Sequence, residues 1–211
     1  MGSPLPKLYD YVLSGSCYKV RLMAALLGVR YETRAVDFYP GREHKGAEML
    51  ALNPLGQLPI FEDDGVILRD AQAILCHLAN RCDPAGTWLP RDQRFGPIMT
   101  WLSFAGGELM AISGARMVSM LGYPGDLDEL RRKGRAALRV LEDHLTDRAL
   151  AGSPWVVGDS PTIADIALFP YTMLSHDAGI GHEDYPAINL WQRRVRKLPN
   201  FVGMPGIPDY F

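Results

Sequence analysis

The most reactive side chains of this 211-residue sequence cluster near its start, in Ser14-Gly15-Ser16-Cys17-Tyr18-Lys19-Val20-Arg21. Two hydroxyls and a thiol sit where a turn passes into a stretch of helical period. The first turn of a helix presents unpaired N–H groups and a partial positive charge, so it favours an anion. A thiol held there ionises more easily, and a nearby hydroxyl can donate to the thiolate. Ser14 and Ser16 therefore have two readings, as helix caps or as donors to a bound sulfur. Cys17 is either a small buried residue under the helix or a thiolate favoured by the helix start.

A second informative stretch is Asn53-Pro54-Leu55-Gly56-Gln57-Leu58-Pro59-Ile60. Asn53-Pro54 and Leu55-Gly56 are turn dipeptides that break and redirect a preceding helix. Pro59 at the mouth of an apolar strand donates nothing to a ladder, and a cis Leu58–Pro59 bond is one reason to place it there.

These residues need elements to carry them. Residues 7–13 are expected to form a strand, 17–27 a helix stopped by Gly28, and 31–37 a second strand, together a βαβ unit. A short helix over 43–52 follows. Asp64-Gly65 between apolar runs predicts a hairpin over 59–68, and 71–81 reads as a helix burying Ile74, Leu75 and Leu78. Residues 83–93, opening on Asp83-Pro84-Ala85-Gly86-Thr87, form a linker. From there every long segment has helical period: 94–120, 127–145, 162–174 and 187–198; within the first, Gly106-Gly107 and Gly114 are costly in a helix interior and point to a close helix approach or a kink. Thr162-Ile163-Ala164-Asp165 is a capping box. Residues 204–211 cannot be helical, and their aromatics either pack on the domain or lean over a pocket. The expected organisation is an α/β domain over 1–82, the linker, and an all-α domain over 94–211.

Composition narrows the function. The chain is 47% hydrophobic and 22% charged with a net charge of −2, and neither half is basic, so nucleic acid is not an expected partner. Nor is a membrane, since no apolar run reaches the length of a span. The opening six residues lack the pattern of a secretory leader, and Pro6 stands where N-myristoylation wants Ser or Thr. Cys17, Cys76 and Cys82 form no CxxC, which fits a reduced cytoplasm; Cys76 reads as core and Cys82 as a helix-end residue. The five histidines have no metal-ligand spacing, so no metal is expected.

Asn53-Pro-x-Gly-Gln-x-Pro59, with Asp64-Gly65 and Asp70-x-x-Ala-Ile-Leu75, resembles the glutathione-binding half of cytosolic glutathione transferases. Gly158, Thr162, Ala164 and Asp165 match a pattern of the same family's helical half. The Ser14–Arg21 motif is most similar to the serine-type, zeta- or nu-like members. The resemblance implies a thioredoxin-like domain followed by an all-helical domain, with glutathione as co-substrate. It makes Ser14 the thiolate donor and Ser16 its neighbour. Cys17 is the rival, because some bacterial transferases use a cysteine near here to form a mixed disulfide with glutathione. Asp70 would hold the γ-glutamyl amine, with Gln57 and the backbone of Leu58, before Pro59, along the tripeptide. Arg42, His44 and Lys45 are the candidates for the glycyl carboxylate, the last two matching best.

One position departs from the family: Ala71 stands where a Ser usually helps bind the γ-glutamyl carboxylate. Met99, Met110, Met117 and Met120, with Trp101, Phe104 and Tyr123, are either core or the wall of an apolar acceptor site. The resemblance implies a cytoplasmic homodimer that conjugates glutathione to a small apolar electrophile. Two alternatives stay open: a glutathione-dependent cis-trans isomerase, and a non-catalytic binding or scaffold protein, to which Ala71 lends weight.

Overall fold

The computed structural model describes residues 4–207. The first three residues and the closing 208–211, with Tyr210 and Phe211, lie outside that range, and so do the expectations made for them.

The N-terminal domain is built as its turn residues demand. Strand β1 (Lys7–Asp10) leads into helix α1 (Gly15–Leu26), and β2 (Glu32–Ala35) returns parallel to β1. Gly28 follows α1 at φ +66°, the left-handed geometry that ends a helix without a Cβ penalty. The expected helix over 43–52 is in fact a 3₁₀ turn, Glu43–Lys45, and then α2 (Ala47–Leu52). Gly46 between them is extended (ψ 160°), which breaks the helical ladder. Strands β3 (Ile60–Asp63) and β4 (Val66–Leu68) form the hairpin, with Asp64 and Gly65 both at positive φ, as a tight two-residue turn requires. The sheet order is β2-β1-β3-β4, with β3 antiparallel to both neighbours. Leu58–Pro59 is cis, as is Tyr39–Pro40. Helix α3 (Ala71–Cys82) closes this half, its start capped by Asp70.

The helical domain differs from expectation at one joint. The period over 94–120 is continuous, yet the chain forms α4 (Phe95–Gly106) and α5 (Met110–Leu121), broken at Gly106-Gly107. Gly106 also lets α3 approach, since a Cβ there would fall 2.4 Å from Gln72 Nε2. Helices α6 (Leu127–Leu150), α7 (Ile163–Met173) and α8 (Pro186–Arg196) complete the domain.

Helix α7 is the central element, with residues 163–172 all buried. The capping box holds its start: Asp165 Oδ2 accepts from Thr162 N at 2.8 Å, while Thr162 Oγ1 accepts from Ala164 N at 3.2 Å. Asp165 Oδ1 also accepts from Trp191 Nε1 at 2.8 Å and Val156 N at 3.1 Å, so one buried carboxylate ties three segments together. The main apolar core runs from Leu8 and Phe61 of the sheet, through α1 and α3, to α7 and α8, and a smaller cluster of Tyr9, Val36, Met49 and Ile60 covers the other face of the sheet.

Candidate active site

A cavity of about 540 Å³ opens along the seam between the two domains. Two helix starts converge on it. At the first, Ser14 caps α1, its Oγ accepting from Cys17 N at 3.1 Å. That uses a lone pair of the oxygen, and the same hydroxyl is within hydrogen-bond reach of the Cys17 thiol. Ser14 and Ser16 both line the cavity. At the second, Asp70 Oδ1 accepts from Ala73 N at 2.9 Å. The N–H groups of Ala71 and Gln72 precede the first helical hydrogen bond, made by Ile74 N to Asp70 O, and their residues line the same cavity. This is the geometry of an anion site.

Gln57, Leu58 and Pro59 form the wall between these two starts, with Leu58 just outside β3. His44 and Lys45 line the cavity as well. Lys45 is exposed and donates to Leu55 O at 3.0 Å. His44 is buried, stacked on Phe38 at 3.9 Å between ring centres, with Nδ1 unpaired. Burial, with Lys45 and Arg42 nearby, holds its pKa below the ordinary value. Arg42 is exposed and lies outside the cavity lining.

Of the two readings of Cys17, the buried one matches the structure, and the thiolate at the cavity does not. Its side chain is fully buried in the core and absent from the cavity, because its position on α1 faces away from the opening. Burial pushes the thiol up to about 12, with Asp10 adding to the effect and the Ser14 hydrogen bond opposing it. Desolvation outweighs the helix start here, so this thiol stays protonated near neutral pH.

Helix α5 forms the opposite wall, where Met110, Met117 and Met120 meet Tyr123 from the following loop. Met99, Trp101 and Phe104 do not join them. Trp101 and Phe104 pack edge-to-face, Trp101 also against His144, and Met99 faces α3 from α4.

Several lining residues had no place in the sequence reading. Tyr11 stacks on Phe38 at 5.3 Å between centres. Arg116 is nearly buried and donates to Asp177 through Nε (3.0 Å) and Nη2 (2.9 Å). Tyr171, from α7, lies within hydrogen-bond distance of Ser16 and Ser113. The signal available in advance was on α5, where the polar Ser113 and Arg116 sit at i, i+3 within an otherwise apolar face.

Among the described residues no group of His, Cys, Asp or Glu is arranged to hold a metal. No helix among them is long and apolar enough to cross a membrane.

A thioredoxin-like sheet domain, joined to a helical domain across a cavity with two helix starts and the Ser14 hydroxyl, defines a glutathione transferase fold. The comparisons agree. Residues 6–80 match the family described as "Glutathione S-transferase, N-terminal domain", and residues 124–194 "Glutathione S-transferase, C-terminal domain". A maleylacetoacetate isomerase from Pseudomonas aeruginosa is 28% identical over 202 residues, covering 91% of this chain and 90% of the relative. Glutathione S-transferase theta-2 from Mus musculus is 25% identical, covering 90% and 80%. A crystal structure of a glutathione S-transferase from Pseudomonas fluorescens has a TM-score of 0.84 at 35% identity, covering 95% of this chain and 98% of that one. The chain belongs to the cytosolic glutathione S-transferase family, whose activity is glutathione transfer.

Proposed function

We propose that the chain binds glutathione along the wall from His44 to Ala71 and activates its thiol at the start of α1. Ser14 turns its proton to the thiolate, and the N–H groups at the helix start favour the same charge. Asp70 Oδ2 takes the γ-glutamyl amine, and the N–H groups of Ala71 and Gln72 take the γ-glutamyl carboxylate. Gln57 and the backbone of Leu58, before Pro59, hold the middle of the tripeptide. Lys45, with His44 beside it, takes the glycyl carboxylate. The acceptor is a small apolar electrophile seated against Met110, Met117 and Met120. In conjugation the thiol loses its proton to solvent, the sulfur forms the new C–S bond, and the leaving group departs with the electron pair.

The observation that carries this reading is the convergence of both helix starts, with Ser14 and Asp70, on one cavity. Calorimetry with glutathione tests it directly. Saturable binding supports it; no binding at millimolar concentration removes it in favour of a scaffold role.

A second reading is a glutathione-dependent cis-trans isomerase, favoured by the Ser14–Arg21 motif and by the isomerase among the relatives. Glutathione would add to a conjugated double bond, permit rotation and leave unchanged. Titrating free thiol during turnover separates the two, because only conjugation consumes glutathione. The three cysteines are all free, which fits a reducing compartment, and we place the chain in the cytoplasm as a homodimer. Light scattering on the purified protein checks that assembly. Neither chemistry calls for a metal.

A further inference from the structure

Tyr171 brings the helical domain against the start of α1. The contact depends on Gly15, since a Cβ there would lie 2.8 Å from Tyr171 Cε1 and 3.1 Å from Cζ. The phenol oxygen is 3.0 Å from Ser16 Oγ and 3.1 Å from Ser113 Oγ, and in the second bond Ser113 is the donor. Between Tyr171 and Ser16 either oxygen can donate. The phenol has a single O–H, and with Ser113 donating to it, Ser16 Oγ is the one other partner among the described residues, so we assign the Tyr171 proton to Ser16 Oγ. The Ser16 hydroxyl has no other hydrogen bond among the described residues, and this assignment leaves its own proton for a group in the cavity.

A second, independent feature lies beneath the ring. Lys19 is fully buried, its ammonium has no hydrogen-bond partner, and Nζ stands 5.0 Å from the centre of the Tyr171 ring. A cation over an aromatic face is attracted by the ring, and it draws density from the ring, which strengthens the phenol as a donor. Burying an unpaired charge is costly, so this cation lowers stability at the place where it can act on the chain of hydroxyls. The other charged groups nearby are Asp70 at the start of α3 and Arg116 on α5, the latter held by Asp177; neither is hydrogen-bonded to the phenol.

We propose that Tyr171 is a positioning residue for thiol activation. Accepting from Ser113 and donating to Ser16, it turns the Ser16 hydroxyl toward the cavity, so that Ser16 joins Ser14 in donating to the glutathione thiolate. This rests on the glutathione-binding reading above. It makes thiol ionisation in one domain depend on the seating of a helix from the other.

The test is the apparent pKa of bound glutathione, read from thiolate absorbance and from the pH profile of kcat/KM with a model electrophile. Tyr171→Phe keeps the ring and removes one oxygen. It should raise that pKa by about half a unit to one unit, leaving roughly three- to tenfold less thiolate below it. Affinity for S-methylglutathione, which has no thiol to ionise, should be unchanged. Ser113→Ala should give a smaller rise. Once Ser16 is already Ala, Tyr171→Phe should add nothing, the non-additivity expected of residues acting through one another.

An unmoved pKa with intact binding overturns the proposal, and so does a loss of S-methylglutathione affinity, which would mean that Tyr171 only shapes the cavity. If the natural chain binds neither glutathione nor its S-methyl form, the underlying reading has failed and the proposal with it. That result is visible before any variant is made.

Discussion

Ala71→Ser offers a gain-of-function test of the candidate site. Ala71 is the first residue of α3, only 4% exposed, on the wall where the N–H groups of Ala71 and Gln72 meet the cavity. Asp70 already satisfies Ala73 N, so a new hydroxyl is not needed for capping and can serve a ligand. A hydrogen bond to a charged group contributes about 1.5–3 kcal/mol. In the free protein water in the cavity would solvate the same hydroxyl, which puts the net gain at the low end. With a tenfold change in affinity per roughly 1.4 kcal/mol, Ala71→Ser should tighten binding about tenfold. Calorimetric titration of both forms with S-methylglutathione measures this free of thiol ionisation. Unchanged affinity, with the natural protein already binding tightly, would refute the reasoning, because another group would then hold the γ-glutamyl carboxylate.

Three further outcomes are expected. Ser14→Ala should lower turnover and raise the bound thiol's apparent pKa, at a cost of about 1 kcal/mol for the lost cap; Cys17→Ala should leave the pH profile of turnover alone, and the reverse pattern would restore the mixed-disulfide mechanism. Burial brings Lys19 down to about 8 from 10.5. Between those values the unfolded chain holds a proton the folded chain has lost, so unfolding free energy should rise with pH across that window. Lys19→Met should flatten that rise and stabilise the chain near neutral pH by roughly 2–3 kcal/mol, as read from urea melts at several pH values. Asp165→Asn should destabilise by about 3 kcal/mol, since an amide presents N–H groups to the donors of Thr162, Val156 and Trp191; denaturant unfolding with little loss would show that the network relaxes.

What could be seen in the sequence was local. The Asp64-Gly65 turn, the cap at Ser14, the box at Thr162 and the stop at Gly28 each depend on a few neighbouring residues, and each is where its residue types require. Gly106-Gly107 pointed to a kink or a close helix approach, but the apolar period that runs through 94–120 hid a full break into two helices, and the close packing of Gln72 on Gly106 belongs to another helix. Cys17 shows how orientation decides chemistry: its place in the first turn favours a thiolate, but its side of the helix is the core. His44 had the look of a surface charge and is instead buried beneath Phe38. Tyr171 lies 155 residues from Ser16, a contact that only the docking of α7 against α1 creates.

The unbroken core from the sheet to α8 has a further consequence. Where two domains share an apolar interior, neither half is an independent folding unit, whatever the sequence boundary between them. Cutting the peptide chain within 83–93 would remove a covalent link but leave α1 and α3 embedded against α7, so the fragments would remain one particle. The linker then acts chiefly as a tether that sets the effective concentration of two parts already made for each other. Exchange of the whole sheet domain between relatives would succeed only where the contact surface around Gly15 and Tyr171 is carried over with it.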